Sequence, residues 1–129
     1  MAALNENAIT LLNTTAIASF AATGAQTLYT VPAGKKLVLF SAAVEAAGDV
    51  GASLDFTIGR STALTDFLGT TTGDNLNADE DVIWALPVPA ASPVTSKIYP
   101  AAAIIQINIA VGGNAVAGVV YLFGFLIDV

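Results

Sequence analysis

The residue types that most often carry out catalysis and metal binding are absent from this chain, which has no histidine and no cysteine among its 129 residues. It therefore has no imidazole base and no thiolate nucleophile. Ser96 and Lys97 are adjacent, but neighbouring residues of a strand point to opposite faces, so they do not form a nucleophile–base pair. No Gly-x-Ser-x-Gly turn, phosphate loop or dinucleotide fingerprint is present. We predict that the protein is not an enzyme and binds no cofactor.

The densest group of oxygen ligands lies in residues 73–81, with the sequence GDNLNADED. Carboxylate and amide oxygens are the ligands that Ca²⁺ prefers. An EF-hand alignment that starts at Asn75 places Glu80 where glycine is required and Leu86 where the bidentate glutamate belongs. The pattern favours a solvated acidic loop, and we predict no metal site, with cation binding by residues 74–81 as the alternative.

Composition indicates a surface that is largely covered. Hydrophobic residues make up 55% of the chain and charged residues 11%, and the mean hydropathy is +0.73, whereas soluble domains average about 25% charged residues. The net charge is −6, and the few basic residues are scattered along the chain: Lys35, Lys36, Arg60 and Lys97. Because nucleic-acid affinity depends on Lys and Arg contacts to phosphates, we expect no nucleic-acid partner. The apolar excess must meet either a membrane or other protein subunits.

A membrane location fits the chain less well than protein partners do. The longest uncharged apolar run near the end, Ala115–Ile127, is shorter than the roughly 18–20 residues of a spanning helix. This run is rich in Val, Tyr and Phe and contains two glycines, a composition typical of a strand. The first residues include Glu6 and no Lys or Arg, which does not fit a secretory signal. We therefore predict contacts with protein partners and none with a membrane.

Short strands separated by glycine and proline turns account for most of the sequence. Apolar and polar residues alternate in residues 52–59 and again in residues 103–111. Turns are predicted at residues 32–35, 48–51 and 112–114, the last as a hairpin turn. About eight strands and no helix predict an all-β fold, a β-sandwich of jelly-roll type, with an immunoglobulin-like sandwich as the alternative.

One domain is predicted over residues 1–129, since the chain shows no internal repeat and no low-complexity linker. Residues 26–129 are expected to form the core of the β-sandwich. Residues 1–20 are either the first strand of that sandwich or an N-terminal arm that adds a strand to a neighbour.

Two predicted strands are apolar on both faces, residues 36–46 and residues 116–128. A two-layer sandwich buries one face of each strand, so the second face is expected to meet another subunit. We predict an assembly surface formed by Val38, Phe40, Val44, Val120, Leu122 and Leu126. Trp84 lies in an otherwise aliphatic strand and is expected in the core rather than on a sugar-binding surface.

The segment Thr27–Leu39 (TLYTVPAGKKLVL) resembles a hairpin that is common in small β-proteins of tailed-phage virions. The closing segment Gly118–Asp128 (GVVYLFGFLID) resembles the last strand of the same proteins. The resemblance implies a structural protein of the virion, and in particular a capsid decoration (cement) protein of jelly-roll type. Such proteins are often trimers that bind where major capsid subunits meet, and the family has no catalytic residues.

The resemblance further implies a homo-oligomer, with a trimer favoured, and the major capsid protein as partner. It implies synthesis in the host cytoplasm and a final location on the capsid surface, where the protein would stabilise the head by non-covalent contacts. Two other functions stay open from the sequence: a tail or fibre component that binds a host receptor, and a carbohydrate-binding module.

Overall fold

Antiparallel β-strands form the regular secondary structure in the part of the chain that the computed structural model describes, residues 9–86 and 97–129. A helix of the length and hydropathy needed to cross a bilayer is not found among those residues. The strands are β1 (Thr10–Ile17), β2 (Gly24–Thr30), β3 (Lys35–Ala47), β4 (Asp55–Arg60), β5 (Ala63–Thr72), β6 (Asp79–Ala85), β7 (Lys97–Tyr99), β8 (Ile104–Val111) and β9 (Gly118–Asp128).

β8 shows how alternation in the sequence becomes a sheet with one buried face. Ile105, Ile107 and Ile109 are buried, and Gln106 and Asn108 between them are partly exposed. Successive side chains of a strand point to opposite faces, so burial of the isoleucines turns the two amides toward solvent. The alternation predicted for residues 103–111 is confirmed.

Two sheets enclose one hydrophobic core, to which both contribute side chains. The order is β1-β9-β3-β6 in the first sheet, where the short β7 also pairs with β3, and β2-β8-β4-β5 in the second. The pairs β1–β9, β2–β8, β3–β6 and β4–β5 are nested, so the chain is one long antiparallel ribbon wrapped around its own core. This topology is a jelly roll. The predicted all-β, jelly-roll sandwich is confirmed, with nine strands in the described residues where about eight were expected.

The first strand belongs to the same chain's own sheet. Residues 10–17 pair with β9 over their whole length, with one irregularity between Leu11 and Asn13. Residues 1–8, which the predicted N-terminal arm includes, lie outside the described residues, as do residues 87–96 with Ser96 of the Ser–Lys pair.

The connection between β8 and β9 crosses from the second sheet to the first, so the hairpin turn predicted at residues 112–114 is wrong. Instead, the backbone N–H of Gly113 donates to the carbonyl of Phe20 (2.9 Å) and that of Asn114 to the carbonyl of Val50 (2.7 Å), in two other loops. A side chain on Gly113 would overlap the Val50 carbonyl oxygen. Glycine is required here because two backbones approach closely, not because a hairpin turns.

The turn predicted at residues 32–35 is confirmed. The N–H of Lys35 donates to the carbonyl of Pro32 at 3.3 Å. Gly34 has a φ of +74°, a left-handed conformation that glycine adopts without steric cost. This turn leads from β2 in the second sheet to β3 in the first.

A polar cluster ties the two sheets together. The hydroxyl of Tyr99, on β7 of the first sheet, donates to Asp66 Oδ1 on β5 of the second at 3.0 Å. Arg60 Nε donates to Asp66 Oδ2 at 2.8 Å, and its guanidinium lies 5.7 Å from the centre of the Tyr99 ring. Burial, and then the charge of Asp66, raise the pKa of Tyr99 far above its ordinary value. The phenol therefore stays protonated and keeps its hydrogen bond at neutral pH.

Candidate assembly surface

The outer face of the first sheet is apolar from one edge to the other. Ten large hydrophobic side chains of the described residues are exposed, and nine of them lie in or directly beside strands of this sheet. Contiguous apolar patches of this kind mark interaction sites on soluble proteins. We call this surface the apolar sheet face; it is formed by Leu11, Val38, Phe40, Val82, Trp84, Ile98, Val119, Tyr121, Phe123, Phe125 and Ile127.

The pairing registers make this face continuous across the sheet. Leu11 of β1 is opposite Phe123 of β9. Phe125 of β9 is opposite Val38 of β3, which on its other side is opposite Ile98 of β7. Directly opposed residues of antiparallel strands point to the same side of the sheet. The apolar side chains therefore form one surface rather than isolated exposed residues.

Trp84 lies over the middle of this surface. The indole on β6 contacts the Phe123 ring on β9, with ring centres 5.7 Å apart and planes tilted by 36°. The strand between them, β3, carries small residues here: Ala43 is opposite Trp84, and Ser41 is opposite Phe123. Both small residues are buried. The two rings can therefore meet across β3, and they form an aromatic centre on the face.

Charged side chains lie toward the ends of the apolar sheet face. Lys35 and Lys36 begin β3, and Lys35 forms an ion pair with Asp128 at the end of β9. At the opposite end of the sheet, Asp79 is opposite Ala47, and Glu45 is opposite Val82. The aromatic centre between these ends carries no charged side chain. Burial of this centre therefore removes no charged group from water.

The outer face of the second sheet has a different composition. Thr27 and Gln106 are opposed there, and the Gln106 amide donates to the Thr27 hydroxyl at 3.3 Å. Asn108 is opposite Thr57 on the next strand. Thr57 is buried, but Thr27, Gln106 and Asn108 are at least partly exposed and can be solvated by water. The sandwich therefore has one polar side and one apolar side.

The structure places the six residues of the predicted assembly surface on two different sides of the first sheet. Val38 is half-buried and Phe40 is 49% exposed, and both belong to the apolar sheet face. The other four residues point inward: Val44, Val120 and Leu122 are fully buried in the core, and Leu126 packs against it. The predicted set is corrected at those four positions.

A β-bulge explains the correction in β3. Strict alternation places Phe40 and Val44 on one face, but the register with β9 shifts between Leu39 and Ser41. The extra residue reverses the alternation, so that Val44 joins Leu39 on the inner face. A single bulge therefore changes which side chains are available for assembly.

In β9 the alternation is as predicted, but the choice of outer face is reversed. Val120 and Leu122 face the core, and Tyr121 and Phe123 face outward. The glycines of this strand indicate which face is inside. Gly118 lies on the same face as Val120, and its missing side chain leaves room for the buried ring of Phe20. A glycine within a strand indicates close approach of another element.

The prediction that Trp84 lies in the core is wrong, since its side chain is 61% exposed. Its neighbours Ile83 and Ala85 occupy the inner positions of β6 instead. Ile98 also joins the apolar sheet face without having been singled out in the sequence. The alternation of Val82, Trp84 and Leu86 is visible in the sequence, but it does not say which face of the strand is buried.

In the acidic loop of residues 73–81, one carboxylate accepts hydrogen bonds from the loop's own backbone. Asp81 Oδ2 accepts from the N–H of Asn77 at 3.0 Å and from the N–H of Ala78 at 2.9 Å. Within the described ranges, no group of three or more Asp or Glu side chains is placed to hold a metal ion.

A pocket of about 180 Å³ lies between the β1–β2 connection and β8. Ligand sites are usually larger, about 300–1,000 Å³, with several convergent polar groups. This pocket is lined mainly by small and aliphatic residues, including Ala18, Ala22 and Ile107. Ser19, Thr23 and Gln26 also line it, but it is smaller than a typical small-molecule site.

A comparison with solved structures finds the same fold elsewhere. A chain in the acidic stable capsid structure of Helicobacter pylori bacteriophage KHP30 matches with a TM-score of 0.56 and 18% sequence identity, over 95% of this chain and 97% of that one. The fold is one found in a phage capsid. A chain of the cyanophage Pam1 capsid asymmetric unit matches with a TM-score of 0.44 and 11% identity, over 94% of this chain and 87% of that one. No protein-family model and no curated protein matches the sequence.

Proposed function

We propose that this chain is a non-enzymatic structural protein of a phage virion, and specifically a capsid decoration protein that binds the outside of the head. The observation that carries the proposal is the end-to-end correspondence of its jelly roll with a chain of a phage capsid structure, over 95% of one chain and 97% of the other.

The apolar sheet face supports the same proposal. A decoration protein acts through binding energy alone, so it needs a rigid block with apolar contact surfaces and no active site. The two segments with phage resemblance lie in the elements that build this block: Thr27–Leu39 runs from the second half of β2 through the turn into the first residues of β3, and Gly118–Asp128 is β9. In this proposal the protein is a homo-oligomer, with a trimer favoured by the phage resemblance, its partner is the major capsid protein, and it is made in the host cytoplasm before it reaches the capsid surface.

Binding to capsids tests the proposed function. Purified protein is mixed with capsids of the encoding phage that were assembled without it, and the mixture is sedimented and imaged by cryo-electron microscopy. We expect saturable binding, regular extra density where major capsid subunits meet, and capsids that withstand a higher temperature. Bare capsids, or extra density confined to the tail, would contradict the decoration role.

Carbohydrate binding is a second candidate because Trp84 is exposed, as an aromatic platform for a sugar ring must be. Against it, the strand positions beside Trp84 carry Ala43 and Val82 rather than side chains that bind hydroxyl groups. A glycan array probed with the wild type and with Trp84→Ala separates the two functions. Binding that is lost in the variant would support the carbohydrate-binding module, and a silent array would remove it.

A further inference from the structure

We propose that a second copy of this chain covers the apolar sheet face. This assignment rests on the proposed function, in which the chain is an oligomeric capsid component, and it names the surface through which the copies meet. Three features of the face identify the occupant: its hydrophobicity, its charge distribution and its size.

The hydrophobicity of the face calls for a partner that is present as soon as the chain folds. Trp84, Leu11 and Ile98 are each more than half exposed in the single chain. Interfaces of permanent homo-oligomers are more hydrophobic than those between partners that exist separately. A second copy is available during synthesis, whereas a capsid shell is met only after assembly. Self-association therefore protects this face from water at every stage.

The charge distribution makes the face suitable for contact between identical chains. Each copy carries a net charge of −6, so copies repel one another except where charges are absent or opposite. The centre of the face is uncharged, Lys36 lies at one end of β3, and Asp79 lies beside the other end of that strand. When two copies pack face to face with their β3 strands running in opposite directions, the basic end of one face lies near the acidic end of the other. No partner of opposite net charge is needed.

The size of the face approaches that of a stable contact only when all of its strands take part. Four neighbouring strands at a spacing of about 4.8 Å, with about nine residues each at about 3.3 Å, give a footprint of roughly 20 by 30 Å. Because side chains project from the sheet, the accessible surface area of the face is larger than this flat footprint. A stable interface buries about 800 Å² of accessible surface on each partner. The whole sheet face, rather than one edge of it, is therefore the expected contact.

A matched pair of substitutions tests the assignment. Val82 on the apolar sheet face is 41% exposed, and Val111 on β8 of the second sheet is 46% exposed. Lysine at either position adds one charge at a similarly exposed strand position. We expect Val82→Lys to raise the dissociation constant of the oligomer at least about tenfold, because the interface would exclude water from the new charge and pairing with the opposite Glu45 offsets only part of that cost. Val111→Lys is likewise opposite a carboxylate, that of Asp55, but lies on the other sheet, so it should leave the dissociation constant unchanged. Analytical ultracentrifugation of the full chain measures both, with circular dichroism to confirm folding.

Trp84 provides a second measurement that needs no substitution. It is the single tryptophan of the chain and lies on the face in question. On dilution of the wild type through its dissociation range, we expect the emission to shift to longer wavelength and quenching by acrylamide to increase. If the oligomer dissociates while Trp84 remains equally accessible, the copies meet elsewhere and the assignment is overturned, even where Val82→Lys fails to fold.

The same experiments separate this assignment from the proposed function. A wild-type chain that is monomeric at micromolar concentration yet binds capsids would overturn the assignment and leave the proposed function standing. A monomer whose capsid binding is lost in Val82→Lys would show that the shell covers the face, which also overturns the assignment. An oligomer that responds to Val82→Lys but binds no capsid would support the assignment and contradict the decoration role.

Discussion

At the scale of single residues, the polar groups that could suggest chemistry hold the backbone and the sheets in place. Asp81 accepts two N–H groups of its own loop. Asn114 donates to the carbonyl of Asp49 at 3.0 Å and so connects two loops. Asp66 receives hydrogen bonds from Arg60 and from Tyr99. Each of these side chains has a structural partner, which agrees with a protein that acts through its surfaces.

Tyr99→Phe is expected to lower the free energy of unfolding by about 1 kcal/mol at pH 7, because one buried hydrogen bond to Asp66 is lost while the Arg60 contact remains. Denaturant unfolding measures the change. Tyr29→Phe is the control, since the Tyr29 hydroxyl makes no hydrogen bond within the described part of the chain. An equal loss in both variants would contradict the role assigned to the bond.

The same substitution should change the pH dependence of stability. The pKa of Tyr99 is raised in the folded state, so the contribution of its protonated form is complete below the ordinary pKa of about 10. That contribution falls as pH rises above 10, because the unfolded chain loses the proton more easily than the folded one. The stability difference between wild type and Tyr99→Phe should therefore shrink, or change sign, above about pH 10. Free tyrosine titrates over a range from about pH 8 to about pH 11.5. A stability difference between the two proteins that stays constant over this range would contradict the raised pKa of Tyr99.

At the scale of elements, β9 and β3 approach each other closely at the bulge that reverses the alternation of β3. Gly124 on β9 lies directly against the bulge of β3, where a side chain would overlap the carbonyl oxygen of Val38. The missing side chain of Gly124 leaves room for the β3 backbone at Val38 and Leu39, directly before the bulge. After the bulge the alternation of β3 is reversed, so that Phe40 is exposed and Val44 is buried.

Gly124→Ala is expected to destabilise the protein by about 2 kcal/mol or more, because the backbone of β3 must move to admit the methyl group. Gly69→Ala is the matched control, since a side chain at Gly69 on β5 would meet nothing within 4 Å. The control should be neutral or slightly stabilising, because alanine restricts the unfolded chain. Thermal unfolding of both variants provides the comparison, and equal effects would show that the packing argument fails.

At the scale of the whole molecule, the sandwich is asymmetric. The second sheet presents Thr27, Gln106 and Asn108 to solvent, and the first presents aromatic and aliphatic side chains. The low charge content of the chain is thus not distributed evenly over its surface. One side of the protein resembles the exterior of a soluble domain, and the other resembles a core that a second subunit completes.

Oligomerisation through this face should make thermal stability depend on concentration. Association of folded chains stabilises them by mass action, so the Tm of the wild type is expected to rise with protein concentration. Val82→Lys should have a Tm that is lower and independent of concentration over the same range, and Val111→Lys should behave as the wild type does. Differential scanning calorimetry at several concentrations measures this, and a wild-type Tm that does not change would contradict self-association.

The class of fold and the surplus of apolar side chains could be predicted from the sequence. Alternation in residues 103–111, the turn at Pro32–Gly34 and the two doubly apolar strands are local properties, and local properties follow from side-chain type and backbone preference. The low charge and high mean hydropathy predicted that part of the surface is apolar.

Which side of the first sheet is exposed, and which apolar residues lie on it, follows from the tertiary structure and not from the sequence pattern. Alternation defines two faces of β9 but is symmetric between them, so Leu122 and Phe123 are equivalent until the second sheet packs against one side. In β3 a bulge reverses the alternation after Leu39, and that bulge depends on the register with Gly124 of a strand distant in sequence. The exposure of Trp84 could not be predicted for the same reason. It depends on how β6 pairs with β3, and the local sequence of β6 does not specify that pairing.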